Sequence, residues 1–312
     1  MSERTIGYEE LTYRSADGET MVHAYLWIPS GEIKGVIQLS HGMCEYIQRY
    51  DAWARRFAAE GYVFCGNDHL GHGNTAPTPE ALGHIPARIG YQLLVEDVHT
   101  LTTLMRQRFP GAPVILYGHS MGSFVARLYV SKYASDLSAA LISGTAGLGL
   151  PTGLGRKVAG TIGFFKGDHH RSKLLTSMGF GGYNKRFAQE QDALSWLTRN
   201  KAVREKYKED RFCALVFTTG GYDTLFALIS KVSCKRWFST LPTDLPILLF
   251  SGDHDPVGNY GKGVQAVYDR MKKRGCNVTL RLYENARHEM HNELNVDEVF
   301  ADLMHYLKEN VI

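Results

Sequence analysis

A mostly parallel, doubly wound α/β sheet with an inserted helical cap is the architecture that this 312-residue sequence predicts, on three observations. Short apolar runs alternate with longer helix-period segments, which puts strands and crossover helices in turn along the chain. Several of the runs are apolar at every position, as strands buried on both faces must be. One long interval, residues 146–241, has no such run, and the rhythm resumes at Pro246.

The elements follow in order. Tyr8–Arg14 and Val22–Pro29 flank the turn Ser15-Ala16-Asp17-Gly18 and predict an antiparallel hairpin at one sheet edge. Continuous apolar strands are expected at Gly35–Ser40, Tyr62–Asn67, Val114–Gly118, Ala139–Gly144, Ile247–Ser251 and Val278–Tyr283. Helical patterns lie between them at about Tyr50–Glu60, Ile89–Phe109, Met121–Tyr133, Gly261–Lys273 and Val296–Asn310, one for each crossover. The core is therefore assigned to residues 1–145 and 242–312. Residues 146–241 are assigned to a cap lying as a lid over the strand ends. Its Gly-rich stretch Gly147–Gly163 is expected to flex, and its aromatic and aliphatic residues are expected to pack the cap and line an apolar tunnel.

Composition narrows the function. With 35 Lys and Arg against 32 Asp and Glu, the formal charge of +3 is too balanced to imply a nucleic-acid partner. Met1–Glu10 is polar and has no apolar core, so neither an export signal nor an anchor is expected. No apolar stretch approaches the ~20 residues of a spanning helix, which leaves at most peripheral membrane contact through the cap. Five scattered cysteines, odd in number and without a CxxC pair, fit free thiols in a reducing cytoplasm, the expected location. Cys44 is read as a packing residue. There is no GxGxxG or Walker sequence, and His288 and His291 lack an HExxH context and a third ligand, so no cofactor or metal is expected.

The chemistry begins at Gly118-His119-Ser120-Met121-Gly122, a GxSxG sequence where an apolar strand meets a helical pattern. A serine on such a tight turn stands clear of the sheet, and the flanking glycines avoid collisions with neighbouring backbone. A serine hydroxyl is a weak nucleophile and needs a base, which in turn needs an orienting carboxylate. Both follow in the chain: Asp253 and Asp255 after the strand Ile247–Ser251, and His288 after Val278–Tyr283. Spacing alone does not choose between the two aspartates. All these positions follow strand C-termini, where open α/β sheets place their sites. The turn His41-Gly42-Met43-Cys44-Glu45, after Gly35–Ser40, offers a backbone N–H to an oxyanion, so the hole is assigned to the amides of Met43 and Met121.

With these pieces the sequence resembles the monoglyceride lipases and lysophospholipases, a group of α/β-hydrolases classed with serine aminopeptidases. The resemblance rests on HGMCEYIQRY at His41–Tyr50, NDHLGHG at Asn67–Gly73, GHSMGS at Gly118–Ser123, GDHDPV at Gly252–Val257 and YENARHEMHNE at Tyr283–Glu293. It implies Ser120 as nucleophile, Asp255 rather than Asp253 as orienting acid, His288 as base, and Met43 and Met121 as oxyanion donors. It also implies Glu45, Arg49 and His291 as residues shaping the glycerol end of the pocket. Where the family usually reads HGxGEH, this chain has Met43, Cys44 and Tyr46. The implied activity is hydrolysis of small-molecule carboxylic esters such as monoacylglycerols or lysophospholipids through an acyl-enzyme. Cleavage of an amide or peptide is the alternative, and it would require a cap carboxylate among Glu190, Asp192, Glu205, Glu209, Asp210 and Asp223 to hold the substrate's amino group.

Overall fold

The computed structural model describes residues 5–213 and 215–311; residues 1–4 of the polar N-terminal segment lie outside them. Eight strands form one sheet: β1 (Ile6–Arg14), β2 (Met21–Pro29), β3 (Gly35–Ser40), β4 (Tyr62–Asn67), β5 (Val114–His119), β6 (Ala139–Ser143), β7 (Ile247–Gly252) and β8 (Val278–Tyr283). Their spatial order is β1-β2-β4-β3-β5-β6-β7-β8. The β1–β2 hairpin and the β2–β4 pair are antiparallel, and all other neighbours are parallel. Every residue of β3, β4, β5, β6 and β7 is buried, which explains their mostly apolar sequence; the polar exceptions are Gln38 in β3 and residues at the C-terminal strand ends.

The period of two along each strand divides the interior into two cores. In β5, Val114 and Leu116 face one core and Ile115 and Tyr117 the other. The first core is closed by α2 (Gly90–Arg108), α3 (Met121–Tyr133) and α9 (Lys262–Arg274), the second by α1 (Asp51–Ala59) and α10 (Val296–Asn310). Helices on both faces make the doubly wound arrangement expected from the sequence.

Between β6 and β7 the chain forms α4 (Thr152–Lys166), α5 (Lys173–Phe180), α6 (Lys201–Glu209), α7 (Thr219–Ser233) and α8 (Lys235–Thr240). The Gly-rich stretch that suggested a flexible loop is mostly the helix α4. Within it, Gly155 sits so close to the Phe226 ring of α7 that a Cβ there would approach it to 2.9 Å, so this glycine serves helix packing. Tyr222, Leu225, Phe226 and Val232 of α7 join the first core. Among the described residues no helix is long and apolar enough to cross a membrane.

The strand order reverses between β3 and β5, which pair directly from Val36–Val114 to Ser40–Gly118. Open α/β sheets have a crevice at such a switch point, at the C-terminal strand ends. The turn after β3 and the turn after β5 therefore meet there.

Candidate active site

At the end of β5, Ser120 has φ 53° and ψ −119°, a strained conformation for a residue with a side chain. The strain is held by close packing on either side. A Cβ on Gly122 would lie 1.9 Å from the Ser40 carbonyl oxygen, and one on Gly118 would lie 2.5 Å from the Gly122 oxygen. The turn thus brings α3 against β3 and lifts Ser120 into the crevice.

His288 and Asp255 reach the same point from the loops after β8 and β7. The His288 Nε2 lies 2.8 Å from the Ser120 Oγ, and its Nδ1 lies 2.9 Å from the Asp255 Oδ2. Asp255 is fully buried and also accepts from the Val257 N–H at 2.8 Å and the Ser251 hydroxyl at 3.2 Å. Asp253, the alternative on spacing, is turned toward the His254 ring at 2.7 Å and is partly exposed. The carboxylate on Nδ1 fixes the proton there and leaves Nε2 free to accept from the serine. Burial pushes the His288 pKa down, but the charge and hydrogen bond of Asp255 outweigh it, and the net shift is upward.

Met43 stands at the end of the β3 turn, and Met121 begins α3. Gly42, whose carbonyl shares a peptide with the Met43 N–H, is held through both of its backbone polar groups. The Gly42 N–H donates to the Glu45 carboxylate. The His41 Nδ1 lies 2.7 Å from the Gly42 carbonyl oxygen, while its Nε2 accepts from the His69 N–H at 3.0 Å. Because Nε2 is an acceptor, the proton is on Nδ1 and is donated to that carbonyl. Holding the carbonyl of a planar peptide fixes the direction of the Met43 N–H on its other side. Neither ring is singled out by the sequence, since the role of His41 and His69 in setting this peptide depends on ring contacts that a linear motif does not display.

Below the turn lies a buried ionic layer. Arg49 reaches Glu45 at 2.8 Å and forks onto both oxygens of Glu289 at 3.0 and 3.1 Å, and the Tyr50 hydroxyl donates to Glu45 at 2.9 Å. Burial pushes both carboxyls up. At Glu289 the Arg49 fork prevails and holds the group below the usual carboxylate range, whereas at Glu45 burial prevails. His291 stacks on Tyr50 with ring centroids 4.2 Å apart, and burial lowers its pKa to about 3, so it is neutral. The ligand atoms of Glu45, Glu289 and His291 lie within 4.8 Å of one another, a spacing that suits a metal ion. The Arg49 guanidinium already provides the positive charge there.

Two cavities meet at Ser120. The larger, about 510 Å³, is bounded near the triad by His288, Glu45 and Glu289. The smaller, about 210 Å³, runs between α3, α4, α5 and α7 and has no charged residue on its walls. Met43, Ser120, Phe180 and Trp196 line both. Of the residues expected to shape the pocket, Glu45 lines the larger cavity, while Arg49 and His291 stand behind that wall. Trp196, whose ring centroid lies 5.1 Å from that of His288, packs on that ring and is absent from the residues the sequence singles out. Only its cap position would have hinted at this.

Of the six cap carboxylates that an aminopeptidase could use, Glu209 lines neither cavity and the other five are committed elsewhere. Glu190 pairs with Arg287 and Arg204, Asp192 with Arg204 and Lys208, and Asp223 with Arg156. Asp210 accepts from Tyr46, and Glu205 pairs with Lys208. None of these residues lines either cavity.

The family described as serine aminopeptidase, S33, matches residues 31–295. The monoglyceride lipase of Homo sapiens is 26% identical over 293 residues, covering 93% of this chain and 87% of that protein. A thermostable carboxyl esterase from Bacillus coagulans, solved in complex with glycerol, superposes with a TM-score of 0.91 at 27% identity, covering 99% of this chain and 100% of that one. A soluble variant of the monoglyceride lipase from Saccharomyces cerevisiae shares the fold, with a TM-score of 0.75 at 18% identity over 100% of this chain and 97% of that one. With the sheet, the serine turn and a match spanning most of its length, the chain belongs to the serine aminopeptidase S33 family of α/β-hydrolases.

Proposed function

We propose that this protein is a serine hydrolase that cleaves carboxylic esters of the monoacylglycerol type through an acyl-enzyme. The observation that carries this reading is the relay from Ser120 Oγ through His288 to Asp255, at 2.8 and 2.9 Å, opening onto two largely apolar cavities. His288 takes the Ser120 proton as Oγ bonds to the acyl carbon, and then delivers it to the departing alcohol oxygen as the ester C–O bond breaks. Water, activated in the same way, releases the acid and restores Ser120. The amides of Met43 and Met121 hold the negative oxygen, and each such donor is worth roughly 3 kcal/mol in the transition state. Neither step calls on a cofactor. The likeness to monoglyceride lipase and to the glycerol-bound esterase supports an acylated small alcohol as substrate.

Amide cleavage is less well supported, because the oxygens of the carboxylates that border the cavity, Glu45 and Glu289, already accept from Arg49, the Gly42 N–H, Tyr50 and Asn292, which leaves them committed rather than offered to a substrate ammonium. Residues 146–241 serve as the lid. Its outer face shows Phe164, Phe165, Leu154 and Leu174 well exposed beside Lys157, Lys166 and Lys173, which supports peripheral contact with a membrane. Five unbridged cysteines favour a cytoplasmic setting.

The test is hydrolysis of p-nitrophenyl esters and labelling by a fluorophosphonate, in the wild type and Ser120→Ala. The wild type is expected to cleave and to be labelled, and the variant to do neither. Activity surviving in the variant would overturn the mechanism.

A further inference from the structure

The oxyanion turn is held on its two sides by different parts of the chain. Before Met43, Gly42 is held by His41 and Glu45, both residues of the core. After Met43 stands Cys44, with φ 57°. This left-handed conformation crowds a side chain against the backbone and suits glycine, the residue that the HGxGEH pattern has where this chain has Cys44. A residue with a side chain keeps such a conformation only where its surroundings over-determine it.

At Cys44 those surroundings belong to the cap. The Tyr207 hydroxyl of α6 donates to the Cys44 carbonyl at 2.9 Å, and the Cys44 thiol donates to the Leu215 carbonyl at 3.5 Å. Two residues on, the Tyr46 hydroxyl donates to Asp210, at the end of α6, at 2.7 Å, and the Tyr46 ring packs on Phe212 with centroids 5.1 Å apart. From the core side, the Arg49 guanidinium lies over the Tyr207 ring, 4.8 Å from its centroid. Relaxation of Cys44 to a negative φ is a rotation of roughly 100° or more. It would swing Met43 on one side or Glu45 on the other, and Glu45 is what holds the Gly42 N–H.

We propose that Tyr207 is a positioning residue of the oxyanion hole: with Asp210 and Leu215 it clamps Cys44 in its left-handed conformation, and through Cys44 the docked cap sets the direction of the Met43 N–H. The proposal rests on the ester-hydrolase reading and adds that catalytic rate, rather than affinity, depends on α6 lying against the turn. An oxyanion forms only once Ser120 has attacked, so a misdirected Met43 N–H weakens the transition state and leaves substrate binding nearly untouched.

The experiment is a double-mutant cycle in the full-length protein, with p-nitrophenyl butanoate as substrate. Tyr207→Phe keeps the ring under Arg49 and on the cavity wall and removes only the hydroxyl. It is expected to lower kcat about 5–20-fold, part of the about 10²–10³ that loss of a whole donor costs, with KM changed less than about twofold. Cys44→Gly supplies a residue that holds a positive φ without a clamp, so in that background Tyr207→Phe is expected to change kcat less than about twofold. An equal loss of kcat in both backgrounds overturns the proposal, since the hydroxyl then acts on the substrate or the fold rather than through Cys44. So does a rise in KM at constant kcat, or no loss in the wild-type background. Tyr46→Phe provides the second arm. Tyr46 lies outside both cavities, so a fall in kcat there, at least about twofold and again absent with Cys44→Gly, comes through the turn and not through contact with substrate. An unchanged kcat in Tyr46→Phe overturns the clamp. If the wild type neither cleaves the ester nor takes up a fluorophosphonate at Ser120, the ester-hydrolase reading fails and takes this one with it.

Discussion

Asp255→Asn tests the electrostatics of the site most directly. In the transition state His288 becomes an imidazolium 2.9 Å from the Asp255 carboxylate, with both side chains buried. Opposite charges at that distance attract by about 6 kcal/mol at an effective dielectric of about 20, which caps the loss at about 10⁴ in kcat. The asparagine keeps the shape but can donate to Nδ1, which favours the wrong imidazole tautomer, and losses of about 10³–10⁴ follow. The pH profile supplies a second readout. Only neutral His288 accepts the serine proton, so kcat/KM rises with pH through a midpoint above the ordinary 6.5 of histidine. In the variant, burial remains and the raising influence of Asp255 is gone, so this limb moves to lower pH. The assay is p-nitrophenyl butanoate hydrolysis from pH 4.5 to 9. A loss smaller than about tenfold with an unmoved acid limb, or an equal loss in Asp253→Asn, would refute the argument.

Gly122→Ala puts a Cβ 1.9 Å from the Ser40 oxygen and 2.5 Å from that of His41, both main-chain atoms that cannot swing aside. The variant should lose both esterase activity and at least 3 kcal/mol of stability, roughly, measured by urea denaturation. His41→Ala frees the Gly42–Met43 peptide without deleting its N–H, so kcat should fall about 10–100-fold, less than removal of a donor, with KM and the acid midpoint nearly unchanged. Stability should decline on acidification from about pH 6.5 to 4. Burial lowers the pKa of His69 to about 3 and of His72 to about 4, and depresses His41, His84, His119 and His291 as well. Below their ordinary 6.5 the unfolded chain takes up protons that the folded chain refuses, so it gains in relative stability. Asp68, Asp97, Glu45 and His288 are shifted upward and act the other way, but they are fewer. Urea midpoints at pH 7 and pH 4.5 check the sign.

Much of this site was legible in the sequence because its constraints are local. Residues of β3, β5 and β7 are apolar at nearly every position since helices cover both faces, and Gly118 and Gly122 flank Ser120 because backbone approaches within a Cβ's radius. Both features depend on neighbours a few positions away or on a strand's own periodicity. The choice between Asp253 and Asp255 was not legible from spacing, because it depends on side-chain direction within one turn, where the Val257 N–H and the Ser251 hydroxyl draw Asp255 inward. The Arg49–Glu289 pair was invisible for a simpler reason, since its partners are 240 positions apart. Trp196 over His288 and the helical character of residues 152–166 likewise arise from cap packing, where Gly155 reads as flexible in sequence but meets Phe226 in space.

Arg49 shows how such a distant pair ties the parts of the site together. Glu289 directly follows the base and donates its own N–H to the Leu197 carbonyl of the cap at 2.7 Å, while Glu45 holds the Gly42 amide beside the oxyanion turn. Arg49 joins these two carboxylates, so it couples Leu197, the His288 loop and the turn after β3 through one guanidinium. Arg49→Ala leaves two buried acids facing each other. Breaking a buried pair in this way costs about 3–5 kcal/mol, and part of that is recovered if one acid takes up a proton. For a chain of this size the melting temperature should fall by roughly 5–10 °C. Arg49→Lys retains the charge but cannot fork onto both Glu289 oxygens while reaching Glu45, so it should restore stability only in part. If the layer sets the geometry above it, Arg49→Lys should also lower kcat several-fold with little change in KM, because the Gly42 N–H that Glu45 holds is loosened beside the Met43 amide while the cavity walls stay in place. Wild-type stability and kcat in Arg49→Ala, measured by calorimetry and esterase assay, would show that Gly42 is held by His41 alone.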